Sequence, residues 1–263
     1  MPDATFSAAS SYVDRTSAGP HDAYDDLPAL TAVQRVTNTF VAPTKTFADL
    51  RRNQSWWLPF VIVVLFSYLF SAVAVTRIGM PALALSAIRN NPTQNQRYQD
   101  ASPEQRVQTL TGTRVVMGVV LSSFVLTVPL YCSVAALLLW AGYNFILGGS
   151  ATFRGMFAVT MFASLPGVLR SLLIIGVMLV GEADSFNINE PVGTNPGFYL
   201  GPDSLAFLKA ALASIDVFSL WTLALMALGG AIVARVKVKN GLAMVFSAWL
   251  VFVLLKAGIV AAM

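Results

Sequence analysis

Residues 115–153 of the chain read VVMGVVLSSFVLTVPLYCSVAALLLWAGYNFILGGSATF and contain no formally charged side chain. Arg114 and Arg154 bound this stretch. The hydrocarbon core of a bilayer needs about 20 such residues for each spanning helix, and further long apolar stretches have the same character. The stretch is nevertheless too short for two spans and a turn. The sequence therefore predicts an all-α, multi-pass membrane protein.

The composition argues against an ordinary soluble domain. Hydrophobic residues make up 56% of the chain and charged residues 11%, and the mean hydropathy is +0.67. A soluble protein of this length needs a more polar surface. The net charge of +4 comes from Lys and Arg in short connectors beside apolar runs. We therefore expect membrane lipids with anionic headgroups, and no nucleic acid, as the partners of these cations.

The first part of the chain divides into two segments before the first span. Residues 1–28 are acidic and lack a periodic apolar pattern, which predicts a disordered tail. Residues 29–55 place Val33, Val36 and Phe40, and then Phe47 and Leu50, at helical spacing on either side of Pro43. This predicts two short interfacial helices with their apolar side on the lipid. The alternative is that they pack on a polar domain of the protein itself.

The candidate contacts with lipid or a protein partner lie at the end of this segment. Cations precede a pair of tryptophans, and indole rings favour the headgroup layer of a membrane. The candidate contact residues are Lys45, Arg51, Arg52, Trp56 and Trp57.

Five spanning helices are predicted within residues 56–263. The first covers residues 57–76. A helix that begins at Pro103, with Ser102 and Gln105 as a capping box, is expected to run into the second span, which ends near residues 140–143 and is kinked at Pro129. The third, fourth and fifth spans cover residues 152–180, 212–234 and 242–262.

The cations predict the orientation of the spans, because short cytoplasmic loops are rich in Lys and Arg. The connector with Arg235, Lys237 and Lys239 contains no acid, whereas the connector of residues 181–203 contains acids and no cation. We therefore expect an inner-membrane protein with a cytoplasmic N-terminus and an extracytoplasmic C-terminus. The arginines between the first two spans lie on the outer side in this arrangement. They reduce the excess of cations on the cytoplasmic side over those on the outer side.

Three stretches of the sequence resemble bacterial members of the Yip1 domain family, over about residues 35–260. The stretches are Arg35, Phe40, Pro43 and Phe47 with residues 56–59 (WWLP), residues 148–153 (GGSATF) with 163–166 (ASLP), and residues 215–218 (IDVF) with Leu220, Trp221 and Gly229. The resemblance implies five spans and a cytoplasmic N-terminal region. Eukaryotic relatives interact with small Rab-type GTPases and act in vesicle transport or membrane shaping. The short tyrosine and acidic-leucine motifs of those relatives are not found in this sequence.

Three ionisable residues fall inside the predicted spans and form a candidate polar cluster: Arg170, Asp216 and Lys256. A charge in hydrocarbon costs about 2.5 to 3.5 kcal/mol on insertion scales, so such residues are functional candidates. All three are expected in the outer half of the bilayer. The cluster could bind a lipid headgroup or a small anion, or relay protons. Alternatively, it fixes helix packing, or its cations extend toward the outer headgroups.

The sequence around Gly148 and Gly149 permits two interpretations. The glycines fit a tight turn, with Thr152 capping the next helix. A phosphate site beside Arg154 is the weaker alternative, since neither a Walker lysine nor a complete dinucleotide-binding glycine motif follows. Pro166 and Gly167 are expected to kink the third span.

The ionisable residues do not support catalysis. His21 is the only histidine and lies in the predicted tail, and Asp216 is the only carboxylate within the spans. We therefore expect no enzyme and no cofactor or metal. The leading hypothesis is a scaffold that organises membranes or acts in trafficking-like processes, and that binds lipid or a protein at its N-terminal segment. The alternative is a small transporter or permease subunit that uses the charge cluster as its pathway.

Overall fold

The computed structural model of this protein describes residues 28–89, 91–181, 192–201 and 204–262. The described residues form helices and connecting turns, as the sequence predicts. The helices are α1 (Ala32–Val41), α2 (Pro43–Leu50), α3 (Trp57–Arg77), α4 (Met80–Arg89), α5 (Pro92–Asp100), α6 (Pro103–Ser122), α7 (Phe124–Ala141), α8 (Phe153–Ala163), α9 (Leu165–Val180), α10 (Ala206–Ala213), α11 (Val217–Ala234) and α12 (Val238–Ala262). Apart from Pro28, the tail for which we predict disorder lies outside the described residues, as do the acids of the 181–203 connector.

Five helical segments are long and apolar enough to cross a membrane, which confirms the predicted number. They are α3, α7 with the π-helical turn Gly142–Ile146, α8 joined to α9, α11, and α12. The turn between α8 and α9 lies at Ser164, and Pro166 is in the first turn of α9. Because proline lacks an amide hydrogen, it is tolerated at this place, and the interruption expected near Pro166 is found there.

The second span differs from the prediction in its first half. The capping box of Ser102 and Gln105 is formed at the start of α6, but this helix ends at Ser122. Ser123 leaves the helical conformation, and its hydroxyl and amide both donate to the carbonyl of Val120. Such local hydrogen bonds compete with the helix. The chain therefore leaves the helical conformation at Ser123, whereas Pro129 lies further along the chain, inside α7.

The start of α6 also determines the charge of its first turn. The carboxylate of Glu104 accepts a hydrogen bond from its own backbone amide and one of 3.0 Å from the Ser102 hydroxyl. Both bonds favour the ionised form and lower the pKa of Glu104 from its ordinary value. Glu104 therefore stays negative beside the positive end of the helix dipole.

The fourth span begins later than predicted. α10 ends at Ala213, and the chain is non-helical from Ser214 to Asp216. Asp216 is the N-cap of α11, because its carboxylate accepts a 3.0 Å hydrogen bond from the amide of Ser219. Asp216 therefore lies at the end of a span rather than within it.

The spans alternate in direction, and hydrogen bonds align their ends. The Ser150 amide donates to the Ala234 carbonyl at 3.1 Å, which joins the turn before α8 to the end of α11. The Gln54 amide group donates to Thr152 at 3.2 Å. α1 and α2 form a helical hairpin at this end of the bundle, which is therefore called the hairpin end.

α3 and α9 both end at the opposite side of the bundle. This side is called the cavity end, because it contains a cavity lined by Arg170 and Lys256. The Arg77 guanidinium donates to the carbonyls of Met178 at 3.3 Å and Leu179 at 2.6 Å. A cation at unsatisfied helix carbonyls is favourable. Arg77 thus has a structural role. It is also one of the arginines that reduce the predicted excess of cations on the cytoplasmic side.

The main core lies toward the hairpin end. All residues from Gly155 to Ala163 in α8 are buried, and the second half of α11 is almost completely buried. Tyr143 is fully buried beside them and donates to the Ala227 carbonyl at 2.6 Å. A Cβ atom at Gly230 would lie 2.2 Å from the Tyr143 ring, so the glycine is required for this packing.

Candidate functional site

The N-terminal hairpin, α1 and α2 together, is held closed by a buried ion pair. Arg35 Nε lies 2.6 Å from Asp49 Oδ2, and their side chains are 5% and 3% exposed. The hydroxyls of Thr39 and Thr46 both donate to the Arg35 carbonyl at 2.8 Å. The two helices are therefore connected by polar contacts that are protected from water.

Sequence reasoning missed Asp49. It is the only acidic residue between residues 28 and 99, and it lies in a basic segment. Its second carboxylate oxygen accepts hydrogen bonds from Arg52 at 3.2 Å and from the amide of Leu30 at 3.4 Å. A lone acid among cations, on a helix adjacent to that of Arg35, is the signal that could have identified it.

The hairpin is fixed to the bundle through the apolar side of α2. Phe47 and Leu50 are fully buried. A Cβ atom at Gly229 of α11 would lie 2.7 Å from the Phe47 ring and 2.8 Å from Val159, so the missing side chain leaves the space that the ring fills. The expectation that Phe47 and Leu50 face lipid is therefore wrong. They pack on the spanning helices themselves, and the interfacial position of the hairpin stays a prediction.

The predicted contact residues divide into exposed and packed ones. Lys45 and Arg52 are exposed, and Arg51 is half-buried. Trp57 is 62% exposed and stacks on Trp56, with ring centroids 4.7 Å apart. Trp56 also packs edge-on against Phe157 of α8 at 5.1 Å. The outward surface of the hairpin end thus combines cations with one exposed indole ring.

The Gly148 turn is a structural element rather than a phosphate site. Gly148 has a φ of +66°, and the amides of Gly149, Ser150 and Ala151 donate to Tyr143, Ala234 and Asn144. Thr152 caps α8, as predicted, by accepting a 3.1 Å hydrogen bond from Gly155. Because these three loop amides are satisfied within the protein, they are not available to cradle a phosphate.

The polar cluster is partly assembled at the cavity end. Arg170 Nε lies 3.9 Å from Asp216 Oδ2, and the side chains are 43% and 8% exposed. Besides capping Ser219, Asp216 accepts a hydrogen bond from the Thr194 hydroxyl. The carboxylate is thus fully occupied by partners within the protein. Asp216 pairs with Arg170 and not with Lys256.

Lys256 extends from α12 toward the same region. Its Nζ atom lies 3.4 Å from the Ser214 hydroxyl, and the side chain is exposed. No described carboxylate lies within ion-pair distance of it. Arg170 and Lys256 both line a cavity of about 530 Å³ between α7, α9, α10, α11 and α12.

The cavity wall is mixed in chemistry. Its hydroxyl-bearing side chains come from Ser164, Ser214, Ser219, Thr222 and Tyr131, and its aromatic ones are Tyr131, Phe218, Trp249 and Phe252. The described lining residues include no carboxylate, so Arg170 and Lys256 give it a positive charge. A positively charged, partly aromatic cavity is suited to an anionic group attached to an apolar one.

Among the described residues, no group of three or more His, Cys, Asp and Glu could hold a metal ion. The family model of the Yip1 domain matches residues 37–259 of this chain. Comparisons with curated proteins and with solved structures give no match.

Proposed function

This chain belongs to the Yip1 domain family, and from that premise we propose that it is a non-enzymatic scaffold that organises membranes. It is a multi-pass membrane protein with five apolar helices. The proposed contact surface is the outward side of the N-terminal hairpin, with Lys45, Arg52 and Trp57. We place it at the cytoplasmic face of the inner membrane.

The observation that carries the proposal is the attachment of the hairpin to the bundle. The Arg35–Asp49 pair closes the hairpin, and Phe47 fills the space at Gly229. A surface held in this way has little conformational entropy to lose when it binds lipid or a partner. Binding therefore does not require the cations of the hairpin to become ordered, as it would if they belonged to a flexible tail.

The charge distribution supports the orientation. The exposed cations Arg52, Arg154, Arg235 and Lys239 lie at or beside the hairpin end. Anionic lipids of the cytoplasmic leaflet attract such groups by about 1 kcal/mol for each cation near the surface. A contact with phospholipid headgroups is therefore favoured for this surface, and a protein partner is the alternative.

The cavity of Arg170 and Lys256 is a less suitable transport pathway. Between it and the hairpin end lie the buried residues of α8 and of α11 from Leu225 to Ala234. Thr160 is the only polar side chain in these two segments, and its hydroxyl donates to the Phe157 carbonyl at 2.8 Å. A continuous polar route would require this core to separate, whereas a binding site does not.

Site-specific photo-crosslinking in native membranes tests the scaffold. A photoreactive amino acid replaces Lys45 in the full chain, and the matched control carries it at Gln96, an exposed position of α5. We expect phospholipid or protein adducts at position 45 well above those at position 96. Equal yields at both positions would contradict the proposed contact surface.

A second measurement distinguishes a transporter from a scaffold. The purified chain is reconstituted into liposomes, and the uptake of chloride and inorganic phosphate is compared with that of empty liposomes. We expect no difference. Anion uptake that disappears in Asp216→Asn would reject the scaffold in favour of a transporter.

A further inference from the structure

We propose that the cavity at Arg170 and Lys256 binds one anionic phospholipid, with the lipid phosphate between the two cations and an acyl chain along the aromatic wall. The inference concerns a different surface from the N-terminal hairpin and does not depend on what that hairpin binds. It rests on the charge of the lining, on the donors that remain available, and on the position of the cavity in the bundle.

The charge of the lining is not compensated within the described part of the protein. Asp216 faces Arg170 at 3.9 Å, a distance too long for a hydrogen bond. Its oxygens already accept hydrogen bonds from Ser219 and Thr194. Lys256 has only the 3.4 Å contact with Ser214. An anion in the cavity would therefore neutralise the remaining positive charge, which is costly where it borders hydrocarbon.

The available donors define where that anion binds. The hydroxyls of Ser164, Ser214 and Ser219 already donate to Met161, Ala210 and Asp216. The groups that can still donate into the cavity are the Arg170 guanidinium, the Lys256 ammonium and the hydroxyls of Thr222 and Tyr131. A phosphate has several acceptor oxygens for these donors, and a guanidinium is well suited to bind it through two parallel hydrogen bonds.

The apolar part of the lining identifies the source of the phosphate. Trp249, Phe252 and Val253 lie on α12 next to Lys256 and form one wall. Phe252 is 63% exposed, and Trp249 is half-buried. Because the exposed Phe252 ring faces hydrocarbon in a membrane, free inorganic phosphate gains nothing from it, whereas a phospholipid acyl chain packs on it.

The position of the cavity fits a lipid of the leaflet at the cavity end. The Lys256 ammonium contacts Ser214, which lies just before the fourth span begins at Val217. Arg170 faces Asp216, the residue that caps this span. Both cations therefore lie where the fourth span begins, and a lipid phosphate can reach them from the headgroup layer while its acyl chain packs along α12.

Native mass spectrometry of the purified full chain in detergent tests the proposal. Dioleoylphosphatidylglycerol, dioleoylphosphatidylcholine and inorganic phosphate are titrated separately, and retained molecules are counted. We expect one phosphatidylglycerol, bound at least about tenfold more tightly than phosphatidylcholine, whose own cation competes with Lys256. A tenfold excess of inorganic phosphate should not displace it.

Two variants and one control make the assignment specific. Lys256→Gln should weaken phosphatidylglycerol binding about tenfold, because one charge-assisted hydrogen bond is lost. Thr222→Val, which removes no hydrogen bond of the free protein, should weaken it severalfold. Arg97→Gln, which removes an exposed cation of α5 that does not line the cavity, should leave it unchanged.

Three results would overturn the proposal. The first is unchanged phosphatidylglycerol affinity in Lys256→Gln, or an equal loss in Arg97→Gln. The second is equal affinity for both lipids, which would show that the charge of the cavity does not select anionic lipid. The third is displacement by inorganic phosphate, which would make the cavity a site for the free anion. None of these outcomes bears on the crosslinking at Lys45.

Discussion

The substitution Gly229→Ala tests how the N-terminal hairpin is attached to the bundle. The added Cβ atom would lie 2.7 Å from two carbon atoms of the Phe47 ring and 2.8 Å from Val159 Cγ1. Phe47 is fully buried, so its ring cannot move aside into solvent. In a helix that has room for it, alanine is favoured over glycine by about 1 kcal/mol. The clash at Gly229 must therefore reverse the ordinary sign of the substitution.

The expected magnitude follows from the cost of overpacking. Adding a methyl group to a well-packed core costs about 1–3 kcal/mol. If the clash displaces the hairpin rather than α8, it lowers the free energy needed to separate α2 from the bundle by this amount. Amide exchange in α2 should then become about 5- to 150-fold faster, because each 1.4 kcal/mol is a factor of about ten.

Hydrogen–deuterium exchange of the chain in nanodiscs, followed by mass spectrometry of a peptide covering α2, measures this change. The control is Gly258→Ala in α12, where an added Cβ meets no atom within 4 Å. It should leave the exchange of α2 unchanged. In Phe47→Ala/Gly229→Ala the second substitution should cost less than it does alone, because the clash with the ring is absent. Unchanged α2 exchange in Gly229→Ala would refute the attachment described here.

Two further predictions concern the buried carboxylates. Asp49→Asn should destabilise the hairpin by about 3–5 kcal/mol, because it leaves the Arg35 charge buried without its partner; the exposed Asp100→Asn should change stability by less than about 0.5 kcal/mol. Thermal unfolding in detergent checks both, and equal shifts would contradict the role of the pair. Asp216→Asn should cost at most about 1 kcal/mol, since asparagine keeps the cap and the 3.9 Å pair with Arg170 is half-exposed. Asp216→Ala should cost about 0.5–2 kcal/mol more through the lost cap, and a reversed order would show that the ion pair dominates.

The spans could be predicted from sequence because hydrocarbon imposes length and composition on each of them separately. The first span, the fifth span and the capping box at Ser102 depend on residues that are close in sequence. The predicted boundaries of the second and fourth spans are wrong for local reasons. The hydrogen bonds of Ser123 end α6, and the cap at Asp216 makes α11 begin later than predicted. A hydropathy pattern does not reveal these boundaries, because serine and aspartate occur both inside helices and at their ends.

The packing of the hairpin could not be predicted in the same way. Phe47 reads as a lipid-facing residue until Gly229, on a distant helix, is known to lie opposite it. The residues of the polar cluster were identifiable, because charges in an apolar segment are rare. Their pairing was not, since the choice between Arg170 and Lys256 depends on how α9, α11 and α12 are arranged in space. The cavity that they line is likewise a property of that arrangement.

The central claim is that the spans place the hairpin and the start of α12 on one side of a membrane and α5 on the other. Single cysteines at Lys45, at Lys239 and at Gln96, each in a Cys132→Ala background, are labelled with a membrane-impermeant maleimide in intact cells and in inverted vesicles. We predict that positions 45 and 239 react only in inverted vesicles and that position 96 reacts in intact cells. Labelling of positions 45 and 96 from the same side, or of positions 45 and 239 from opposite sides, would contradict this arrangement of the spans.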